Sequence, residues 1–193
     1  MSDDSDFGRL VSLACHDLRT PLATVHGFAT TLERGGGLEP PADRYVEMIN
    51  AAAAQIAELI DELSLAARFE SGRYDPTPRE ADTLELAQAA GARLGEERVR
   101  VTGSGTELET DAEAVERGLA ALFQSALRHG GLDIVEVEVD GPEIRLSPVT
   151  AASAPVVLGD VLRDLGAAVA VRLVRRLGGS VTVAAETLTI RLV

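Results

Sequence analysis

The amino-acid sequence predicts a mostly α plus α+β fold, in which an antiparallel helical hairpin over residues 1–74 precedes a small α/β sandwich over residues 79–193. Two long stretches with apolar residues spaced alternately by three and four predict the hairpin. Apolar and acidic residues alternate over Ile134–Val139, which predicts a half-buried strand in the second part. Between the two parts, Asp75-Pro76-Thr77-Pro78 is typical of a linker.

The first predicted helix has an apolar seam at the a and d positions of three heptads. Its members are Val11, Ala14, Leu18, Pro21, Val25, Phe28 and Leu32. Gly35-Gly36-Gly37 ends this helix, because glycine accepts turn conformations that a helix excludes.

Pro40-Pro41 predicts the start of the second helix, since proline is tolerated in a first turn. Gly72 ends it, and its seam is formed by Val46, Ile49, Ala53, Ile56, Ile60, Leu63 and Ala67. One hairpin offers too little surface to bury two seams. A homodimer that forms a four-helix bundle is therefore expected.

The second part alternates predicted helices and strands, with helices on one face of a mostly antiparallel sheet. Asp111 is expected to cap a helix that runs to about His129, and Asp140-Gly141 to turn one strand into the next. The other expected elements are helices over Thr83–Leu94 and Val157–Leu177, the latter with a break near Gly166, and strands over Arg98–Thr102, Glu143–Leu146, Ser180–Val183 and Leu188–Leu192.

Composition narrows the class of protein. The net charge of −13 disfavours a nucleic-acid partner, because DNA and RNA are polyanions. No apolar run is long enough for a membrane span, and the acidic N-terminus does not resemble a secretory signal. One cysteine, Cys15, excludes an intrachain disulfide and fits a cytoplasmic location. No metal site is expected, since His16, His26 and His129 lack ligand spacing.

His16 falls at heptad position f, which points away from the bundle core. A neutral, exposed imidazole is a competent nucleophile for a phosphoryl donor. Asp17 can hold the proton of one ring nitrogen, and Thr20 lies one turn further on the same face. Pro21 is expected to bend the helix beyond this face. From the residues alone, ordinary surface positions remain an alternative for all of them.

The stretch His16-Asp17-Leu18-Arg19-Thr20-Pro21-Leu22 resembles the H-box of two-component sensor histidine kinases, and all seven positions agree with that pattern. The resemblance implies that His16 is the phosphoacceptor, that the acidic Asp17 assists as a base, and that Thr20 helps phosphatase action. It also implies a nucleotide-binding second domain.

In that second domain the family's nucleotide motifs are eroded. The second asparagine of the family's N-box, a magnesium and phosphate ligand, falls on Ser125, and the last glycine box keeps Gly166 while Asp164 replaces another glycine. A carboxylate there would repel phosphates. The cofactor-binding positions are therefore degenerate, ATP binding is doubtful, and the layout is most similar to histidine phosphotransferases with a degenerate ATP domain.

The expected function is phosphoryl transfer between His16 and the aspartate of a response-regulator receiver domain, with Mg²⁺ supplied with the receiver. An upstream histidine kinase is a further candidate partner. Two alternatives stay open at this point: an ATP-dependent autokinase with an atypical nucleotide site, and a non-catalytic module that binds a receiver.

Overall fold

The computed structural model describes residues 3–193, with the side chains of residues 11–193. Residues 1 and 2 of the predicted hairpin domain lie outside this range. The chain forms two compact units, Met1–Tyr74 and Asp75–Val193. The fold class is the expected one, a helical hairpin followed by an α/β sheet domain.

The first unit consists of two long helices, α1 (Asp3–Gly35) and α2 (Ala42–Glu70). Small and medium apolar residues that repeat every seven positions pack between them. They are Cys15, Leu22 and Ala29 on α1, of which Leu22 is partly buried, and Val46, Ala53, Ile60 and Ala67 on α2. A seven-residue repeat keeps the same side of each helix against its neighbour.

A second set of apolar residues on the two helices is exposed to solvent, and we call it the exposed apolar rows. It comprises Leu18, Val25, Phe28 and Leu32 on α1 and Ile49, Ile56, Leu59 and Leu63 on α2. The predicted seam on α1 thus does not face α2. The residues that do face it, Cys15 and Ala29, are small and allow the two helices to approach closely.

The second unit contains a five-stranded sheet made of β2 (Val99–Ser104), β4 (Val135–Asp140), β5 (Glu143–Ser147), β6 (Ser180–Ala184) and β7 (Thr187–Arg191). Their order in the sheet is β2-β4-β5-β7-β6. The β2–β4 pair is parallel and the other pairs are antiparallel. The mostly antiparallel sheet is as predicted, whereas the parallel pair was not expected.

Four helices accompany the sheet: α3 (Thr83–Ala92), α4 (Ala112–Gly130), α5 (Ala154–Val157) and α6 (Leu165–Arg176). The predicted cap at Asp111 is confirmed, since its carboxylate accepts the N–H of Ala114 at 3.3 Å. Fully buried side chains of α4, such as Phe123 and Leu122, share one core with the inward-facing Val135 and Val137 of β4.

The helix expected over Val157–Leu177 is interrupted, but earlier than the predicted break near Gly166. The first helix, α5, ends at Val157 and α6 begins at Leu165, so Gly166 lies in the first turn of α6. Gly159 has φ of +72° between them, and the extended Asp164 caps α6. A small antiparallel sheet of β1 (Arg79–Asp82) and β3 (Glu107–Thr110) was not predicted.

The solvent-facing side of the large sheet carries charges of both signs. Arg145 donates to Glu143 at 2.7 Å and lies 3.4 Å from a carboxylate oxygen of Asp140. The hydrogen bond to Glu143 raises the pKa of Arg145 further above its usual range. This face therefore forms local ion pairs and is not a basic surface.

None of the helices within residues 3–193 combines the length and apolar composition that a membrane crossing requires.

Candidate functional site

His16 lies on α1 with its side chain 78% exposed. Its neighbour Cys15 is fully buried against α2. Successive residues on a helix are rotated by about 100°, so the packing of Cys15 turns the imidazole away from the hairpin interior. His16 is therefore exposed, as predicted. The exposure results from the packing of Cys15 against α2, one position away from the predicted seam residue Ala14.

Asp17 contacts one nitrogen of this ring. Its Oδ1 lies 3.3 Å from Nδ1 of His16, and the aspartate side chain is itself 70% exposed. A carboxylate only accepts hydrogen bonds, so the contact favours the tautomer with the proton on Nδ1. The lone pair then resides on Nε2, the nitrogen that faces away from Asp17.

Thr20 and Pro21 follow on the same helix. Thr20 is exposed, and its backbone carbonyl accepts the hydroxyl of Thr24 at 3.1 Å. The hydroxyl of Thr20 lies four residues after His16, on the same helix face. Pro21 lies inside α1, and the helix continues through it.

An ion pair that was not predicted joins the two helices near His16. Nη2 of Arg19 lies 2.7 Å from Oδ1 of Asp61 on α2, and Nε of Arg19 lies 3.3 Å from the same oxygen. The two residues are 42 positions apart in sequence, so no local pattern indicates their contact. Arg19 itself was visible in the motif, three residues after His16.

In the second unit, Ser125 does not reach a ligand site. It is fully buried on α4, and its hydroxyl oxygen has no hydrogen-bond partner within the described part of the chain. Its neighbours in sequence, Gln124 excepted, are core residues of α4. An oxygen without solvent access cannot coordinate Mg²⁺ or a phosphate unless α4 rearranges.

Asp164 makes two contacts at the N-terminus of α6. One oxygen accepts the N–H of Ala167 at 3.1 Å, and the other lies 3.2 Å from Nε2 of His129, at the end of α4. The side chains of His129 and Asp164 are only 22% and 12% exposed. The chain's own carboxylate thus holds the position where the N–H groups of a helix N-terminus attract an anion.

Gly166 is buried on α6, and the segment before this helix packs into the core through Val149, Val156 and Val157. These residues do not fit a nucleoside triphosphate. The oxygen that should bind magnesium is buried, and a carboxylate held by His129 already fills the anion position at α6.

Within the part of the chain that the structure describes, no three His, Cys, Asp or Glu side chains cluster as metal ligands do.

Residues 8–72 match the family model of the His Kinase A (phospho-acceptor) domain. The match covers nearly all of the hairpin and includes His16, Asp17 and Thr20.

Curated relatives extend the similarity into the second unit. An uncharacterized sensor-like histidine kinase of Rhizobium meliloti is 28% identical over 153 residues, which are 72% of this chain and 29% of that protein. Sensor protein KdpD of Mycobacterium tuberculosis is 31% identical over 140 residues, 66% of this chain and 16% of that protein. Histidine protein kinase DivJ of Caulobacter vibrioides is 26% identical over 166 residues, 72% of this chain and 27% of that protein. The chain spans less than a third of each of these relatives.

Solved structures share the fold. Full-length ShkA superposes with a TM-score of 0.68 at 19% identity, over 94% of this chain and 44% of that one. The histidine kinase AdeS of Acinetobacter baumannii gives a TM-score of 0.58 at 17% identity, over 92% of this chain and 98% of that one. At such identities the similarity describes the architecture, a helical hairpin followed by an α/β sheet domain.

Proposed function

Because the chain belongs to the two-component histidine kinase family, with its phospho-acceptor domain at residues 8–72, we propose that it transfers a phosphoryl group between His16 and the aspartate of a response-regulator receiver domain. The exposed imidazole of His16, with Asp17 at Nδ1, carries this proposal. A phosphoryl donor can reach the ring, and the remaining nitrogen holds the lone pair that attacks.

The transfer step exchanges one bond to phosphorus for another. Nε2 of His16 attacks the phosphorus of the receiver's aspartyl phosphate, an N–P bond forms, and the O–P bond breaks. The receiver's aspartate leaves as a carboxylate. The ring proton stays on Nδ1, where the carboxylate of Asp17 stabilises the positive charge that the ring acquires. The reverse sequence returns the phosphoryl group to the receiver.

The receiver is the proposed source of the phosphoryl group, and it also brings Mg²⁺. Two positions of the family's nucleotide motifs support this choice, since Asp164 and His129 fill the anion position of α6 and Ser125 is buried. Phosphoryl transfer requires mainly positioning and charge neutralisation, and a receiver's metal site supplies the latter. An upstream histidine kinase would act through such a receiver or directly on His16.

The proposed active form is a homodimer. The exposed apolar rows run along both helices and include Phe28, which is 69% exposed. A contiguous apolar surface of this kind is unfavourable in water and marks an interaction site. A second hairpin buries the rows of both copies in a four-helix bundle, and a symmetric arrangement satisfies each copy equally.

Thr20 is the residue that we propose to assist phosphatase action, the hydrolysis of the phosphorylated receiver. Its exposed hydroxyl, one turn from His16, can orient a water molecule toward the phosphorylated aspartate of a docked receiver.

The proposal is tested by mixing wild-type protein and its His16→Ala variant, separately, with receiver domains that a small phosphodonor has phosphorylated. Transfer that depends on His16 supports it. Equal receiver binding by both forms without phosphate movement instead identifies a non-catalytic binding module. Labelling of His16 from Mg²⁺-ATP alone identifies an autokinase with an atypical site.

A further inference from the structure

The ion pair between Arg19 and Asp61 is placed where it can respond to a phosphoryl group on His16. Arg19 directs both Nη2 and Nε to one oxygen of Asp61, at 2.7 and 3.3 Å. Neither side chain is locked in place, because Arg19 is 46% and Asp61 50% exposed. Ion pairs this exposed are weak and exchange partners readily.

Arg19 is also a neighbour of His16. Residues three apart lie beside each other on a helix surface, about one turn along the axis. Between Val11 and Leu22, the acidic and basic side chains that flank His16 on α1 are Asp17 and Arg19. Asp17 repels a phosphoryl group, so Arg19 is the cation that this part of α1 offers to it.

Phosphorylation changes which partner Arg19 prefers. A phosphoryl group carries a charge of about −2 and three acceptor oxygens, whereas Asp61 carries a charge of −1. The planar guanidinium can donate two parallel hydrogen bonds to phosphoryl oxygens, and it pairs with only one oxygen of Asp61 in the structure. Charge and geometry therefore both favour the phosphoryl group.

We propose that Arg19 is a phosphoryl-binding residue that exchanges partners: Asp61 holds its guanidinium while His16 is unmodified, and the phosphoryl oxygens take it once Nε2 is phosphorylated. Modification of α1 thereby releases an ion pair with α2 and frees the carboxylate of Asp61. This inference rests on His16 as the phosphoacceptor, and it assigns a role to Arg19 in addition to the roles of His16, Asp17 and Thr20.

Two substitutions separate this exchange from a purely structural clamp. Arg19→Gln removes the group that binds the phosphoryl oxygens, so the equilibrium between phosphorylated His16 and a phosphorylated receiver shifts toward the receiver. Asp61→Asn removes the competitor, so the same equilibrium shifts toward His16. Each shift is expected to be roughly two- to fivefold, the range for one exposed charged contact. A clamp that only holds α1 against α2 moves both variants in the same direction.

Two further variants calibrate the effect. Arg19→Lys keeps the charge without the fork and is expected to restore part of the loss. Arg34→Gln, at the other end of α1, removes an equal charge and is expected to leave the equilibrium unchanged. Circular dichroism of each variant checks that the hairpin is still helical.

A second measurement does not depend on any receiver. Phosphoramidate transfers its phosphoryl group to the imidazole and releases ammonia, so it modifies His16 chemically. The ¹⁵N resonance of Arg19 Nε, assigned by its loss in Arg19→Gln, is then expected to shift on phosphorylation of wild type and not of His16→Ala. An unmoved resonance, or equilibrium shifts of the same sign in Arg19→Gln and Asp61→Asn, overturns the exchange. Failure of every receiver to label wild type, with the resonance still shifting, overturns the proposed function and leaves the exchange standing.

Discussion

Nδ1 of His16 lies 3.3 Å from Oδ1 of Asp17, while the imidazole is 78% exposed. The two facts together define the chemistry of this position. The carboxylate selects the ring tautomer, and the exposure leaves Nε2 open to a partner protein. The contact is long for a hydrogen bond, as is common for catalytic groups before a substrate is present.

Asp17→Asn is expected to slow phosphoryl transfer from a receiver by about 10- to 100-fold, the usual effect of losing a carboxylate behind a reactive histidine. An amide can donate to Nδ1 and no longer stabilises the positive ring. Rapid-quench measurement of His16 phosphorylation gives the rate. Glu58→Gln, an exposed change on α2, is the control, and an unchanged rate in Asp17→Asn contradicts the role of this carboxylate.

Thr20→Ala is expected to slow the loss of phosphate from a phosphorylated receiver by about tenfold or more. The effect lies at or below the lower end of the range for catalytic side chains, because Thr20 only positions the water. Transfer to His16 is expected to continue at its wild-type rate. Thr31→Ala is a control, since Thr31 is also an exposed threonine of α1 and its hydroxyl donates to the backbone carbonyl of Gly27. Similar loss rates in Thr20→Ala and wild type exclude a phosphatase role for this hydroxyl.

Ile56→Glu is expected to convert the homodimer to a monomer, because it places a charge in the exposed apolar rows, where burial against a second hairpin disfavours it. Light scattering after size-exclusion chromatography measures the mass. The neighbouring Gln55→Glu introduces the same charge outside the rows and is expected to stay dimeric. A wild-type monomer at micromolar concentration rules out the proposed dimer.

Asp164→Ala is expected to lower the free energy of unfolding of the second unit by about 1–2 kcal/mol, since it removes the cap of α6. It also removes the partner of His129. Urea denaturation followed by circular dichroism measures the change. Asp160→Ala alters an exposed aspartate in the same segment and is expected to change stability by less than about 0.5 kcal/mol. Equal effects of the two changes contradict the capping role.

Local sequence patterns predict much of the fold. The predictions fail where contacts between residues distant in sequence determine the secondary structure. Asp111 predicts its helix because the capping carboxylate and the N–H group that donates to it, that of Ala114, are only three residues apart. By contrast, β1 and β3 pair Arg79 with Thr110 across 31 positions. The burial of β1 does not alternate, and β3 alternates over only four residues, which is too short to indicate a strand by itself. The interruption between α5 and α6 depends on Gly159 and on a capping aspartate inside an otherwise helical pattern.

The same difference between local patterns and distant contacts applies to the candidate site. The seven-residue motif and the heptad register identify His16, because both are local properties of one continuous helix. The contact of Arg19 with Asp61 and that of His129 with Asp164 join residues 42 and 35 positions apart, which no pattern in the sequence brings together. Both contacts decide what the neighbouring site can bind.

The most informative experiment measures where the phosphoryl group on His16 comes from. Acid-labile ³²P on wild type and His16→Ala is measured in parallel after incubation with labelled Mg²⁺-ATP, and with a panel of labelled phosphorylated receiver domains from the same genome. We expect label on wild type from at least one receiver, none on His16→Ala, and none from Mg²⁺-ATP. Label on His16 from Mg²⁺-ATP alone, or no label from any receiver, shows that His16 is not a phosphoacceptor supplied by a receiver.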